Sequence, residues 1–291
     1  MVKLNLTSQI VLNKVPQEFY QPKTAVDRTE LTRMEKIPTN IFPTIEEGAR
    51  HIANGIEKEI KAKSTEGKFF VMALGTGTSL IPVFDELVRR HQEEGLSFKN
   101  VVVFNGYEYF PLTAKSAHTS LNQLKESFLN KVDIQTFGGL DVALFGIGRN
   151  GNIAVNEPGS SAASPTRIIL IDALSREEMT NSFSNGEQVP PCSITMGIGT
   201  ILKARKLYIT AWGEEKAGIV KDAVENNISD TCPASFMQTH ENADMVIDLG
   251  AASELTRIKH PWLVTSCKWD DKLVRSALVW LCGITGKPIL K

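Results

Sequence analysis

Short apolar runs alternate with segments of helical periodicity along most of this 291-residue chain. Their near-continuous hydrophobicity is typical of strands that are buried on both faces of a sheet. The predicted strands cover residues 69–74, 101–105, 141–148, 167–172, 206–212 and 245–250. This alternation favours an α/β fold in which helices cover both faces of a mostly parallel sheet.

The first predicted helix marks the start of the main domain. Thr44 and Glu47 have the spacing of a capping box, and the apolar residues that follow fall on one helical stripe. These stripe residues are Ile45, Ala49, Ile52, Ile56 and Ile60. We therefore predict an N-terminal arm over residues 1–43, a main domain over 44–255 and a C-terminal helical extension over 256–291 that packs on the domain.

The composition of the chain limits the kinds of partner that it is expected to bind. The 32 Lys and Arg residues balance 33 Asp and Glu residues, so no global charge favours nucleic acid or an anionic membrane. The four cysteines have neither zinc-ligand nor disulfide spacing, and we expect no metal and no cofactor. The sequence shows neither a signal-peptide pattern nor an apolar run long enough to span a membrane, so we predict a cytoplasmic protein. The chain ends without a polar tail, which favours a further C-terminal domain, and a homo-oligomer is the other partner left open.

Three loops follow predicted strands, where α/β proteins usually bind ligands. GTGTS at 75–79 offers free backbone N–H groups to an anion but lacks a nucleotide-binding pattern, and an ordinary turn is the alternative. FNGYEYFPL at 104–112 places Tyr107, Glu108 and Tyr109 either at a ligand or simply at the sheet's rim. GRNGNIAVNEPGSS at 148–161 is either a plain turn or a polar pocket for a polyol.

These loops, together with TMGIGTILKA, GEEKA and ASFMQTH, resemble the signature stretches of the glucosamine-6-phosphate deaminase/isomerase family over about residues 45–250. The resemblance implies a Rossmann-like three-layer α/β/α domain. It also implies a hexosamine phosphate at the sheet's carboxyl edge, which members of the family interconvert with a ketose phosphate and ammonia.

The resemblance implies a phosphate site formed by GTGTS and one lysine. Thr76, Gly77, Thr78 and Ser79 match the phosphate loop, and Lys216 in GEEKA matches the phosphate lysine. The family's second phosphate cation, an arginine, falls at Asn181, and Arg176 is the nearby candidate to replace it.

The proton-transfer positions differ from those of the family. The family's Asp-Glu-Tyr is Tyr107, Glu108 and Tyr109 here, and its Asp-Gly-His has become Asn-Gly-Asn with Asn150 and Asn152. A phenol with a pKa of about 10 is a poor base, and an amide does not exchange a proton near neutral pH. In the third loop, Glu157 keeps the family's carboxylate. The connection over residues 132–141 is also shorter than in the family, by about one crossover helix.

Three hypotheses follow. In the first, the chain binds a sugar phosphate with lost or much reduced deaminase activity. In the second, it is an active isomerase/deaminase in which Glu108 and Glu157 act as base and acid. In the third, the fold serves assembly alone and binds no ligand.

Overall fold

The computed structural model describes residues 15–112, 116–132, 140–180, 183 and 188–288. Nine strands lie within these ranges: β1 Thr39–Phe42, β2 Phe70–Leu74, β3 Val101–Asn105, β4 Tyr107–Phe110, β5 Val142–Gly146, β6 Arg167–Leu170, β7 Cys192–Thr195, β8 Lys206–Ala211 and β9 Ala243–Asp248. Six of them form one sheet in the order β1-β9-β8-β5-β2-β3. Every neighbouring pair in this sheet is parallel, as the sequence predicts.

The other three strands form a separate antiparallel sheet in the order β4-β7-β6. The run at 167–172, predicted together with the parallel strands, supplies β6 of this smaller sheet. Ile168 and Leu170 on β6 are 59% and 76% exposed, so this strand has one open face. The predicted loop at 104–112 also contains a strand, β4.

Ten α-helices lie in the described ranges: α1 Gln17–Tyr20, α2 Ala25–Leu31, α3 Ile45–Thr65, α4 Ile81–Glu94, α5 Ser120–Ser127, α6 Ala173–Met179, α7 Ile198–Ile201, α8 Ala217–Val224, α9 Thr256–Lys259 and α10 Asp271–Thr285. The backbone N–H of Glu47 donates to the Thr44 hydroxyl at 3.2 Å, which caps α3 as predicted. Helix α5 is followed by a 3₁₀ turn at Leu129–Lys131.

Alternate residues of the central strands enter two hydrophobic clusters on opposite faces of the parallel sheet. On β5, Ala143 and Phe145 join the cluster that contains α7 and α8, whereas Val142 and Leu144 join the cluster that contains α3 and α4. Successive side chains of a strand point to opposite faces. The domain therefore has three layers, and the predicted Rossmann-like arrangement is confirmed.

The ends of the described chain differ in packing. Strand β1, from the predicted arm, pairs with β9 at the edge of the parallel sheet. Helix α10 has no buried residue and contacts the rest of the chain partly through Trp280, whose ring lies 6.1 Å from that of Trp262. The division into arm, domain and extension stays a prediction. Among the described helices, none combines the length and the apolar character needed to cross a lipid bilayer.

Candidate functional site

A cavity of about 570 Å³ opens at the carboxyl ends of the parallel strands. Three segments that follow or end strands of the parallel sheet line it. These are residues 75–79 after β2, residues 146–149 at the end of β5, and Trp212, Glu215 and Lys216 after β8. Tyr107 and Tyr109 of β4, together with Glu177, Glu178 and Met179 at the end of α6, also line it. Residues from both sheets thus contribute to the cavity.

The predicted phosphate loop leads from β2 into a 3₁₀ turn at Thr78–Leu80 and then into α4. Gly77 and Thr78 are exposed, and both line the cavity. The Thr76 hydroxyl donates to the Tyr107 phenol oxygen at 2.8 Å and lies 3.0 Å from the Ser120 hydroxyl. Backbone N–H groups at the start of a helix are suited to an anion, and residues 75–79 line the cavity where such a helix begins.

The predicted phosphate lysine is already paired. Lys216 is 9% exposed, and its ammonium forms an ion pair with Oε1 of Glu178. Oε2 of Glu178 accepts a hydrogen bond from the backbone N–H of Arg149 at 3.2 Å. Glu178 is absent from the predicted site residues, although it lies only three residues before Asn181, the position of the family's arginine. Arg176, the candidate replacement cation, does not line the cavity, and Asn181 lies outside the described residues.

Alternation along β4 separates the side chains of the Tyr-Glu-Tyr segment. Tyr107 and Tyr109 face the cavity, and their rings meet edge to face with centroids 5.7 Å apart. Burial raises the pKa of both phenols above their ordinary value. Both side chains are therefore neutral at physiological pH, so neither supplies a base to the cavity.

Glu108 points away from the cavity. Its carboxylate accepts hydrogen bonds from the backbone N–H groups of Tyr109 at 2.9 Å, Ser120 at 2.7 Å and Leu121 at 2.9 Å. Ser120 and Leu121 are the first residues of α5, whose N–H groups have no partner within the helix. Glu108 thus stabilises the start of α5.

In the third loop the predicted polar residues bond to one another. The Asn150 amide donates to Oε2 of Glu157 at 2.7 Å, and the Ser175 hydroxyl donates to the same oxygen at 3.0 Å. Asn152 donates to the Asn150 amide oxygen at 2.7 Å and also lines the cavity. Of the residues in this hydrogen-bond network, Asn152 is thus the one that contacts the cavity.

Glu157 is 8% exposed, and burial raises its pKa although the hydrogen bonds from Asn150 and Ser175 lower it. Within the described part of the chain, Oε1 of Glu157 has no hydrogen-bond partner. Neither Glu157 nor Asn150 lines the cavity. Glu157 therefore lies behind the cavity wall, in an environment that favours its protonated form.

Backbone geometry at 151–155 holds this loop in shape. Gly151 has a φ of 82°, and a Cβ placed there would lie 2.8 Å from Sγ of Cys232. Ala154 and Val155 have φ values of 49° and 50°, unusual for residues with a side chain, and both line the cavity. Such conformations are costly and persist only where surrounding contacts enforce them.

The predicted site residues are therefore only partly brought together. Thr76, Gly77, Thr78, Ser79, Lys216, Tyr107 and Asn152 line the cavity, whereas Glu108, Asn150 and Glu157 do not. Among the described residues, no group of three or more His, Cys, Asp or Glu side chains is arranged to hold a metal ion.

Similar proteins of known sequence place the chain in a family. It is 51% identical over its whole length to a glucosamine-6-phosphate deaminase-like protein of Bacteroides thetaiotaomicron, and spans 48% of that protein. It is also 35% identical to the glucosamine-6-phosphate deaminase of Colwellia psychrerythraea, over 80% of this chain and 93% of that enzyme. No protein-family model matches the chain.

Solved structures agree with this placement. A monomeric glucosamine-6-phosphate deaminase superposes with a TM-score of 0.70 at 29% identity, over 75% of this chain and all of the other. The 6-phosphogluconolactonase of Trypanosoma brucei shares the fold, with a TM-score of 0.59 at 18% identity over 76% of this chain and 99% of that one. The Rossmann-like α/β fold is thus shared with solved structures of a glucosamine-6-phosphate deaminase and of a 6-phosphogluconolactonase. By its sequence, the chain belongs to the glucosamine-6-phosphate deaminase family.

Proposed function

We propose that the chain binds a phosphorylated amino sugar, or a related sugar phosphate, in the cavity to which both sheets contribute. We further propose that it deaminates glucosamine 6-phosphate slowly or not at all. Both proposals rest on one observation, which is that two groups of residues line the same cavity. The phosphate loop and Lys216 line the same cavity as Tyr107 and Asn152, two of the residues that replace the acids and bases of the family.

The cavity has the size and chemistry for such a ligand. A volume of about 570 Å³ lies within the usual range of about 300–1,000 Å³ for small-molecule sites. The hydroxyls of Thr78 and Ser79 and the amides of Gln123 and Asn152 all line it. These groups can donate or accept hydrogen bonds, as a polyol with a phosphate requires.

The same side chains argue against rapid chemistry. Proton transfer between two carbons needs a base that ionises near neutral pH, and burial raises the pKa of Tyr107 further from that range. Asn150 and Asn152 cannot exchange protons. Removal of one general base typically lowers the rate by a factor of about 10² to 10⁴. Proton-transfer positions in two loops are altered here, so turnover should be very low.

The active alternative now depends on Glu157 alone. Glu108 uses both carboxylate oxygens to hold the start of α5, which leaves it no path to the cavity without loss of that cap. The raised pKa of Glu157 favours an acid role, but a ligand would contact it only after the Asn150–Asn152 network opened. The third hypothesis, an assembly module, predicts that no sugar phosphate binds.

Two measurements on the full chain separate these functions. Thermal unfolding with glucosamine 6-phosphate or fructose 6-phosphate should show a higher Tm, because a ligand that binds only the folded state stabilises it. Release of ammonia and fructose 6-phosphate from glucosamine 6-phosphate should stay near background. Turnover at ordinary enzyme rates would contradict the proposed loss of activity, and an unchanged Tm would contradict the binding site.

A further inference from the structure

Lys216 and the backbone N–H of Arg149 converge on a single anionic group, the carboxylate of Glu178. A cation and a backbone donor that point at one acceptor are the usual elements of an anion site. Both Lys216 and Arg149 line the cavity. The site that the family resemblance assigns to a phosphate is thus occupied by a side chain of the protein itself.

Glu178, the residue that occupies this site, belongs to a short helix. Glu178 lies in the last turn of α6, a helix of 7 residues whose one buried residue is Ser175. The Glu178 side chain is 29% exposed, whereas that of Lys216 is 11% exposed. Lys216 is therefore the more deeply buried partner, and Glu178 is the partner that can exchange the ion pair for water.

We infer that Glu178 competes with the phosphate group of the ligand for Lys216, and so sets both the affinity and the charge preference of the site. The inference rests on the proposed sugar-phosphate function. A phosphate that binds to Lys216 must first displace the carboxylate, and while Glu178 remains nearby the two anions repel each other. The ion pair between Glu178 and Lys216 therefore lowers the affinity for every anionic ligand.

The surrounding charges strengthen this effect. Three carboxylates line the cavity, those of Glu177, Glu178 and Glu215, against the cationic side chains of Arg149 and Lys216. An anionic ligand consequently meets no excess of positive charge. An amino-sugar phosphate carries an ammonium as well as a phosphate, so it is repelled less than a phosphate without an amino group.

Isothermal titration of the full chain with fructose 6-phosphate, and separately with inorganic phosphate, tests the inference. Glu178→Gln keeps the shape and the acceptor for the Arg149 N–H but removes the competing charge. We expect it to bind fructose 6-phosphate at least about tenfold more tightly than the unmodified chain, in line with the strength of a charge-assisted hydrogen bond.

Two controls isolate the ion pair. Glu177→Gln removes the same charge from the neighbouring residue, which also lines the cavity, and should change the affinity less than about threefold because exposed charges are screened. In a Lys216→Met background, Glu178→Gln should have a much smaller effect, since the cation for which the carboxylate competes is absent and only the repulsion between the two anions is relieved.

The outcomes distinguish the inference from the function on which it rests. Binding by the Glu178→Gln variant alone would support the competition and contradict binding by the unmodified chain. Equal affinity of the unmodified chain and the variant would overturn the competition and leave the function standing. No binding by either protein would overturn both. An equal gain from Glu177→Gln would also overturn the inference, because general electrostatics would then explain it.

Discussion

The two sheets present residues to the cavity in different ways. The parallel sheet contributes through loops at the carboxyl ends of β2, β5 and β8, where several consecutive residues face the cavity. The antiparallel sheet contributes through the face of a strand, so only alternate residues of β4 line the cavity. Access to the cavity is thus decided by loop position in one sheet and by strand register in the other.

This difference explains the roles of neighbouring residues. Tyr109 pairs with Ser193, and Glu108 pairs with Ile194, which is 43% exposed on the open face of the small sheet. A shift of one residue in β4 would exchange the two faces. Tyr107 therefore occupies the position from which a side chain reaches the cavity, and Glu108 does not.

The largest expected effect comes from restoring the family's acids and bases on both sheets together. We expect Tyr107→Asp, Asn150→Asp and Asn152→His in one protein to raise the rate of ammonia release from glucosamine 6-phosphate by about a hundredfold or more, as one restored general base typically gives. The altered side chains at 107 and 152 would line the cavity from opposite sheets.

A matched triple variant with Asn152→Gln in place of Asn152→His is the control, because it keeps an amide at that position. It should remain well below the histidine variant in the same assay. Equal rates for both variants would mean that a histidine at position 152 contributes nothing to the restored activity.

Loss of Lys216 should have the next largest effect. We expect Lys216→Ala to weaken the binding of fructose 6-phosphate by about 10- to 100-fold, the usual contribution of a hydrogen bond to a charged group. Lys58→Ala, which removes an exposed positive charge from α3, should leave the titration unchanged. An unchanged affinity for the Lys216 variant would place the phosphate elsewhere in the cavity.

Much of the fold was predictable because the parallel strands are buried on both faces. Runs such as 70–74 and 142–146 are almost wholly buried, so hydrophobicity alone identifies them. Strands β4 and β6 were harder to interpret because each has an open face and a mixed pattern. The segment at 104–112 was therefore predicted as a loop, which hid the alternation that turns Glu108 away.

The candidate site was predictable to a similar extent. Residues 76–79 and Lys216, which the resemblance assigns to a phosphate, line one cavity, and their role at a phosphate stays a prediction. The partners of these residues were not predictable, because Glu178 is 38 residues from Lys216 along the chain, and Ser175 is 18 residues from Glu157. Contacts of this kind depend on how α6 packs across the cavity, which no local spacing indicates.

A smaller effect, on stability alone, should follow from the loss of Glu108. Glu108→Ala removes the acceptor for the first N–H groups of α5, and loss of such a cap costs about 0.5–2 kcal/mol. Chemical denaturation should show this fall in the free energy of unfolding, while affinity for fructose 6-phosphate stays unchanged. Glu126→Ala, on the exposed side of α5, is the control and should be nearly neutral. A fall in affinity without a fall in stability would instead place Glu108 at the ligand.

The smallest expected effect concerns the link between the sheets, where Glu157 of the loop after β5 bonds to Ser175 of α6, the helix that follows β6. Burial raises the pKa of folded Glu157 above its ordinary value of 4.5. Its contribution to stability is therefore greatest below that value and is lost as the pH rises through the folded pKa.

Glu157→Gln removes this titration but retains an oxygen that accepts from Asn150 and Ser175. As the pH rises from about 4 to about 8, the free energy of unfolding of the variant should thus increase relative to that of the unmodified chain. Denaturant titrations across this range measure the difference. Parallel curves would mean that Glu157 is as easily ionised in the folded state as in the unfolded chain. In that case the loop after β5 would be open to water, and a carboxylate there could serve the active alternative.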